Sequence, residues 1–327
     1  MSSFMARPFI RGLSFVAVLS GCTNGSSGTP APSSFAGSPQ FPGPAAHLYG
    51  NDFMYSSQPS GNQVDVYKRK DGNVTLKIDE TLTYGLSAPM GMVATPAGRL
   101  YVANSGDSNV LVYRTRRTGP QGPEATLRDD GEVPVNVGVA SSGGVVAVSN
   151  SATSADGAGS VSVYLHRQDE PSRMLTYGSD PIQGEGIAID ANGNCFWSFN
   201  DSSTSTGSIV EFARCRGKGT SIVSGIFKAG GVAFDSSDNL YYVDQLAGIY
   251  KCSGISGCAL ITAIGCSGCL VRPANINFDN SNPQNLWVAD AAGFIDAVSV
   301  TGTIEYTLNV LGGATDPPIG IAPAPGS

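Results

Sequence analysis

The sequence predicts an all-β protein, a six-bladed β-propeller with four antiparallel strands per blade and the C-terminal strand closing the first blade. Three observations lead there. A strand–turn–strand pattern returns about every 40 to 50 residues from residue 46 onward, roughly the period of propeller blades. Its strands alternate apolar and polar residues between turns rich in Gly, Asn and Ser, the signature of antiparallel pairing. The two ends of the repeat are also out of phase, so the last strand can supply what the first blade lacks. No stretch beyond the N-terminal segment has helical periodicity.

Each repeat opens on a short strand around Gly-apolar-Ala: Met90-Gly91-Met92-Val93-Ala94, Val137-Gly138-Val139-Ala140, Glu185-Gly186-Ile187-Ala188-Ile189 and Gly230-Gly231-Val232-Ala233-Phe234. A looser copy is Ala274-Asn275-Ile276-Asn277-Phe278, and the last is Ile319-Gly320-Ile321-Ala322. An aromatic or β-branched strand follows, as in Leu100–Asn104, Val145–Asn150, Cys195–Asn200, Leu240–Asp244 and Leu286–Asp290. A third strand alternates, as in Val110–Tyr113 and Val161–Tyr164. The chain enters on a second-type strand, Asp52–Tyr55, and finishes on a first-type strand, Pro318–Ala322. Closing the ring in this way leaves no unpaired terminal blade.

Ahead of the repeats lies an export segment over residues 1–21. Arg7 and Arg11 precede the apolar run Leu13–Leu19, far short of the ~20 residues needed to span a bilayer. The segment ends in Leu19-Ser20-Gly21-Cys22, which resembles the lipobox of bacterial lipoproteins; that resemblance implies cleavage before Cys22 and acylation of its thiol. The alternative is an ordinary signal peptide with an incidental Cys. Thr23, not Asp, follows Cys22, which by the same resemblance favours the outer membrane. Acyl chains contribute about 0.8 kcal/mol per buried CH₂, so several of them tether the protein firmly. Residues 22–45 carry no charge and consist largely of Ser, Gly, Pro and Ala; they read as a tether, and residues 46–327 as the propeller domain.

The cadence P-x-G-apolar-A, L-Y-V-A-N, V-x-V-Y resembles NHL-type propellers and the related gluconolactonase-like propellers, over about residues 46 to 324. The resemblance implies the fold; function on such scaffolds varies widely. In the lactonases it implies a divalent metal at the channel mouth, held by two carboxylates and an Asn just before the Gly of first-type strands. Here those positions read Met90, Val137, Glu185, Gly230, Ala274 and Ile319. Only Glu185 is a ligand type, and a hard cation wants several oxygens. Asn136 and Asn275 stand one residue off, where strand alternation would turn them to the other face. Glu185 on its own also reads as a solvated or backbone-bonded channel carboxylate. The His ligands or bases of the related lyases have no counterpart: the two His residues, His47 and His166, lack metal-ligand spacing.

A second ring is more regular. The second-type strands end in Asn104, Asn150, Asn200, Asp244 and Asp290, with Ser56 near the equivalent place in the first blade. Such a ring could line a rim for a sugar, peptide or cation, or its members could hold turns by bonding backbone N–H groups. Asp190-Ala191-Asn192-Gly193-Asn194 lacks the distal Glu of a calcium loop and reads as a hairpin turn. No G-x-S-x-G elbow, P-loop or H-E-x-x-H is present.

Of seven Cys, lipid would consume Cys22 and leave six between residues 195 and 269, an even set in an exported chain. Cys252 and Cys258 flank a hairpin connection and pair. Cys195 and Cys215 sit on neighbouring strands about three residues out of register, and pair less directly. Cys266 and Cys269 form a C-x-x-C that reads as a disulfide, with a reduced, metal-linked or redox pair as alternatives. Charge narrows the partners. Lys and Arg number 19 against 26 Asp and Glu; after cleavage, 17 basic against 26 acidic residues leave a net charge of −9. With no basic stripe, nucleic acid is excluded as a partner. The sequence thus points to a lipid-anchored, envelope-facing propeller that binds an envelope protein or glycan, with no cofactor and no resident metal. The alternative is a metal-dependent lactonase or hydrolase built on Glu185.

Overall fold

The computed structural model describes residues 53–70, 73–115, 122–151, 158–165, 168–178, 182–265, 269–279, 284–310 and 317–324, all within the compact unit Gly43–Ser327. The export segment, Cys22, the tether, His47, His166 and Cys266 lie outside the described residues. Among the described residues, 24 strands form six four-stranded antiparallel sheets, and no helix is long and apolar enough to cross a membrane.

Blade 1 runs from the channel outward as Ile321–Pro323, Phe53–Gln58, Gln63–Lys70 and Asn73–Leu82. The C-terminal strand therefore closes the first blade, with Met54 opposite Pro323 and Ser56 opposite Ile321. Blades 2 to 6 follow in chain order, with inner strands Pro89–Thr95, Val133–Val139, Ile182–Ile189, Ala229–Phe234 and Pro273–Phe278.

Alternation buries both faces of the middle strands, each against a neighbouring blade, so apolar clusters form at the seams. Trp197 of blade 4 packs with Val161 and Val163 of blade 3, and its indole N–H donates to Ser149 Oγ at 2.9 Å across that seam. Trp287 of blade 6 packs with Met54 and Tyr67 of blade 1. Burying a side chain of this size contributes about 3 kcal/mol relative to leaving it exposed, which ties each blade to the next.

Hairpin turns close the inner strands as the sequence predicts. Asp190 Oδ1 accepts from the backbone N–H of Asn192 (3.0 Å) and Asn194 (2.7 Å), and Asp235 repeats the arrangement with Ser237 and Asn239. Asp190–Asn194 is thus a turn between two strands.

Each inner strand of blades 2 to 6 also carries a β-bulge near its start. Pairing jumps from Pro89/Asn104 to Met92/Val102 in blade 2, from Pro134/Asn150 to Asn136/Ser149 in blade 3, and from Pro273/Asp290 to Asn275/Ala289 in blade 6. A bulge sets two residues against one on the partner strand and breaks the alternation of faces. This local irregularity decides which side chains line the channel.

Candidate functional site

The bulges deliver successive residues to the channel mouth, where Met90, Val135, Glu185, Ala274 and Ile319 line a cavity of about 590 Å³. Blade 3 requires a correction: Val135 stands where the sequence reading put Val137. Val137 pairs with Val148 and is buried in the seam with blade 2. In Val-Asn-Val-Gly-Val the Gly can be read in either of two registers, and the sequence reading chose Gly138. The structure places Asn136 at the position that Gly91 and Gly186 hold in blades 2 and 4.

Asn136 and Asn275 also depart from strict alternation, because each lies at the bulge and faces the channel. Each carbonyl oxygen accepts from the next backbone N–H, Val137 or Ile276, at 2.8 Å. Asn136 Nδ2 then donates to Asn275 Oδ1 at 3.4 Å, from blade 3 to blade 6 on the opposite side of the ring. Neighbouring glycines make room for them: a Cβ on Gly91 would lie 2.5 Å from Asn136 Oδ1, and one on Gly231 would lie 2.4 Å from Asn275 Oδ1. Below the bridge a narrower cavity of about 140 Å³ is lined by Met92, Val137, Ile276 and Asn277. Asn136 and Asn275 line both cavities and form the floor of the mouth.

Glu185 stands in the wall of the mouth on the inner strand of blade 4. Asn200 Nδ2 donates to its Oε1 at 2.9 Å. Burial pushes its pKa up to about 7, opposed by the Asn200 bond and the charge of Lys228. Lys228 and Arg272, both exposed, bring two positive charges to the same cavity from the loops that lead into blades 5 and 6. The sequence reading missed both. Their signal was an apolar–basic dipeptide, Phe227-Lys228 and Val271-Arg272, at matching places in two successive repeats.

A divalent cation does not fit this donor set. Among the described residues Glu185 is the one carboxylate lining the mouth, a lysine acts on it, and the Asn136 and Asn275 oxygens already accept backbone N–H bonds. No group of three or more His, Cys, Asp or Glu with metal-binding geometry occurs among the described residues.

The ring at the ends of the second strands surrounds the mouth, and its side chains hold the loops that lead into the blades. Asn104 Oδ1 accepts from Ser87 N–H at 2.6 Å, and Asn200 Oδ1 from Ala229 N–H at 2.8 Å. Asn150 Nδ2 donates to Ser160 and Ser162. Asp244 accepts from the N–H groups of Phe227, Lys228 and Leu246, and Asp290 from those of Val271, Arg272 and Ala292. The blade 1 member is Gln58, not Ser56. Gln58 pairs with Gln63 as Asn104 pairs with Asn109, whereas Ser56 pairs with Ile321 one step further in.

None of the described cysteines lines the mouth. Cys252–Cys258 bridges the outer hairpin of blade 5, with Cα atoms 3.8 Å apart. Cys195–Cys215 also forms, with Cα atoms 4.8 Å apart. Cys195 pairs with Phe212, three residues before Cys215, and a tight turn with Arg214 (φ 51°) and Cys215 (φ 49°) folds the chain back to close the gap. Cys269 is disulfide-bonded.

The fold is that of known six-bladed propellers. A functionally unknown protein from Desulfotomaculum acetoxidans superposes with a TM-score of 0.56 at 11% identity, over 84% of this chain and 100% of that one. The calcium-binding protein regucalcin from Agrobacterium tumefaciens superposes with a TM-score of 0.50 at 14% identity, over 68% of this chain and 74% of that one. At such identities the likeness establishes the fold alone. No family model matches the sequence, and no curated protein matches it.

Proposed function

We propose that this chain is an exported, lipid-anchored propeller of the bacterial cell envelope that binds its ligand at the channel mouth without metal-assisted chemistry. Cys22 would carry the lipid, the tether 22–45 would hold the ring off the membrane, and the NHL-like cadence would mark a binding scaffold. The observation that carries this reading is the mouth itself: among the described inner-strand residues that line it, one is a carboxylate, and a lysine stands beside it. The test is the divalent-metal content of the purified protein beside a Glu185→Gln variant. No stoichiometric metal in either supports the proposal, and metal bound by the parent but lost in the variant overturns it.

One observation favours a second reading, a lactonase or other hydrolase. A carboxyl group with its pKa raised to about 7 in a cavity is suited to general acid–base work. Lactone hydrolysis by the parent, abolished in Glu185→Gln, would establish that reading.

A further inference from the structure

The mouth has chemistry beyond a generic binding surface. Apart from Glu185 its walls are largely apolar, formed by Met90, Val135, Ala274 and Ile319, while its positive charges sit at the rim on Lys228 and Arg272. The Asn136–Asn275 bridge closes the bottom, so a ligand meets a blind apolar cup under a basic edge. A volume of about 590 Å³ falls within the range of small-molecule sites. The rim cations are held in place: Asp290 accepts both N–H groups of Val271-Arg272, and Asp244 both of Phe227-Lys228. Leu246 extends the apolar surface to the edge and is 62% exposed.

We propose that the mouth binds a small amphiphilic anion, its apolar tail in the cup and its carboxylate or phosphate head between Lys228 and Arg272. This rests on the reading of the mouth as a binding site. A metal ion at Glu185 would occupy the same space with the opposite charge, so the two ideas exclude each other. Lys228 and Arg272 attract the head, and the Asn136 and Asn275 floor is uncharged, so covering it with the tail desolvates no charge.

Glu185 gives the site a pH dependence with a definite sign. Its neighbours are Asn200 on its own blade, Asn136 on the blade 3 side, and Lys228 on the blade 5 side, with Arg272 further round the cavity. The side chain is neutral below its pKa of about 7 and negative above it. A carboxylate ligand, whose own charge is constant over this range, is therefore held more tightly at pH 6 than at pH 8.

The test is calorimetric titration of the full chain in detergent, each probe referenced to a titration into the same detergent without protein, using octanoate, octyl phosphate, octylamine and octanol. Octanoate or octyl phosphate, whichever head the site prefers, binds near one per chain, while octylamine binds at least about tenfold more weakly, as expected for two rim cations. Lys228→Gln with Arg272→Gln removes that preference; both residues are exposed, so the fold survives. Glu185→Gln abolishes the difference in octanoate binding between pH 6 and pH 8. Ala274→Trp fills the cup and blocks binding, and Val135→Phe does the same if the first variant fails to fold. Equal binding of octanoate, octylamine and octanol, untouched by Lys228→Gln and Arg272→Gln, overturns the anionic ligand while leaving the mouth as a binding site. Failure of all four probes overturns the proposal. In that case capture of an envelope partner that Ala274→Trp disrupts would keep the binding reading, and its absence would remove that too.

Discussion

Blades 2 to 4 and blades 5 and 6 share one framework and treat the mouth differently. At the end of the second strand the first arc carries Asn104, Asn150 and Asn200, and the second carries Asp244 and Asp290. An amide has one acceptor oxygen, and its NH₂ must donate elsewhere; Asn200 spends that donor on Glu185 and on the Ala229 carbonyl. A carboxylate is acceptor only and can gather several donors. Asp244 and Asp290 each collect three backbone N–H groups, and in doing so seat the two dipeptides that bring Lys228 and Arg272 to the mouth. A one-atom chemical difference at a repeated position thus distinguishes the arc that holds Glu185 from the arc that presents Lys228 and Arg272.

Removing the carboxylate should break the comparison most forcefully. Asp290→Ala leaves three N–H groups without their acceptor and is expected to cost about 3 kcal/mol, against about 1 kcal/mol for Asn104→Ala, read from urea midpoints. Equal losses would show that the number of donors gathered does not matter. The covalent ties differ in the same direction as their loops. Cys195→Ser with Cys215→Ser opens a link of sequence separation 20, and Cys252→Ser with Cys258→Ser one of 6. The first pair should lower stability by about 3 kcal/mol and the second by less, on loop entropy.

Blade 6 supplies a finer contrast between two aspartates. Asp290 is surrounded by N–H donors, whereas Asp296 is buried with the Thr307 hydroxyl as its donor. Burial pushes Asp296 up to about 7, and Asp290 nearby adds to the rise. Asp129, also buried, is pushed up to about 6. Because these folded-state pKa values lie above the unfolded ones, their stabilising contribution is complete below about pH 4 and is lost as pH rises toward 7. Asp296→Asn should therefore raise stability at pH 8 by about 2 kcal/mol and leave it nearly unchanged at pH 4. A variant as pH-sensitive as the parent would show that Asp296 does not titrate in this window. The smallest effect concerns the floor. Asn136→Ser removes the 3.4 Å bridge and the side-chain acceptor of the Val137 N–H, and should cost about 1 kcal/mol in thermal unfolding, while Asn275 keeps its bond to Ile276.

Much of the fold was legible because its signals are local. Alternation in Val161–Tyr164, the turn chemistry of Asp190–Asn194 and the first-type strand left over at Pro318–Ala322 each report their own structure. The three-residue offset of Cys195 and Cys215 was also legible, although the turn that closes it was not. The mouth was harder to read. A bulge leaves no mark in a hydrophobic pattern, so Asn136 and Asn275 could not be placed, and Val137 stood in for Val135. Gln58 went unrecognised because its place in the ring is set by pairing with Gln63 and by the closing strand, not by resemblance to Asn104.

The sequence by itself determined the first three strands of the repeat, the turns between them and the closure of the ring, since each follows from short-range periodicity and turn propensity; the fourth strand of each blade followed only from the propeller architecture that the repeat implies. Tertiary structure alone decided what the channel is made of. Side chains from blades 3 and 6 meet at its floor although 139 residues separate them, and cations from blades 5 and 6 share one rim with a carboxyl group from blade 4. Such meetings depend on blade order around a closed ring and on the register of each bulge. Both are settled by packing between sheets, which no single strand encodes.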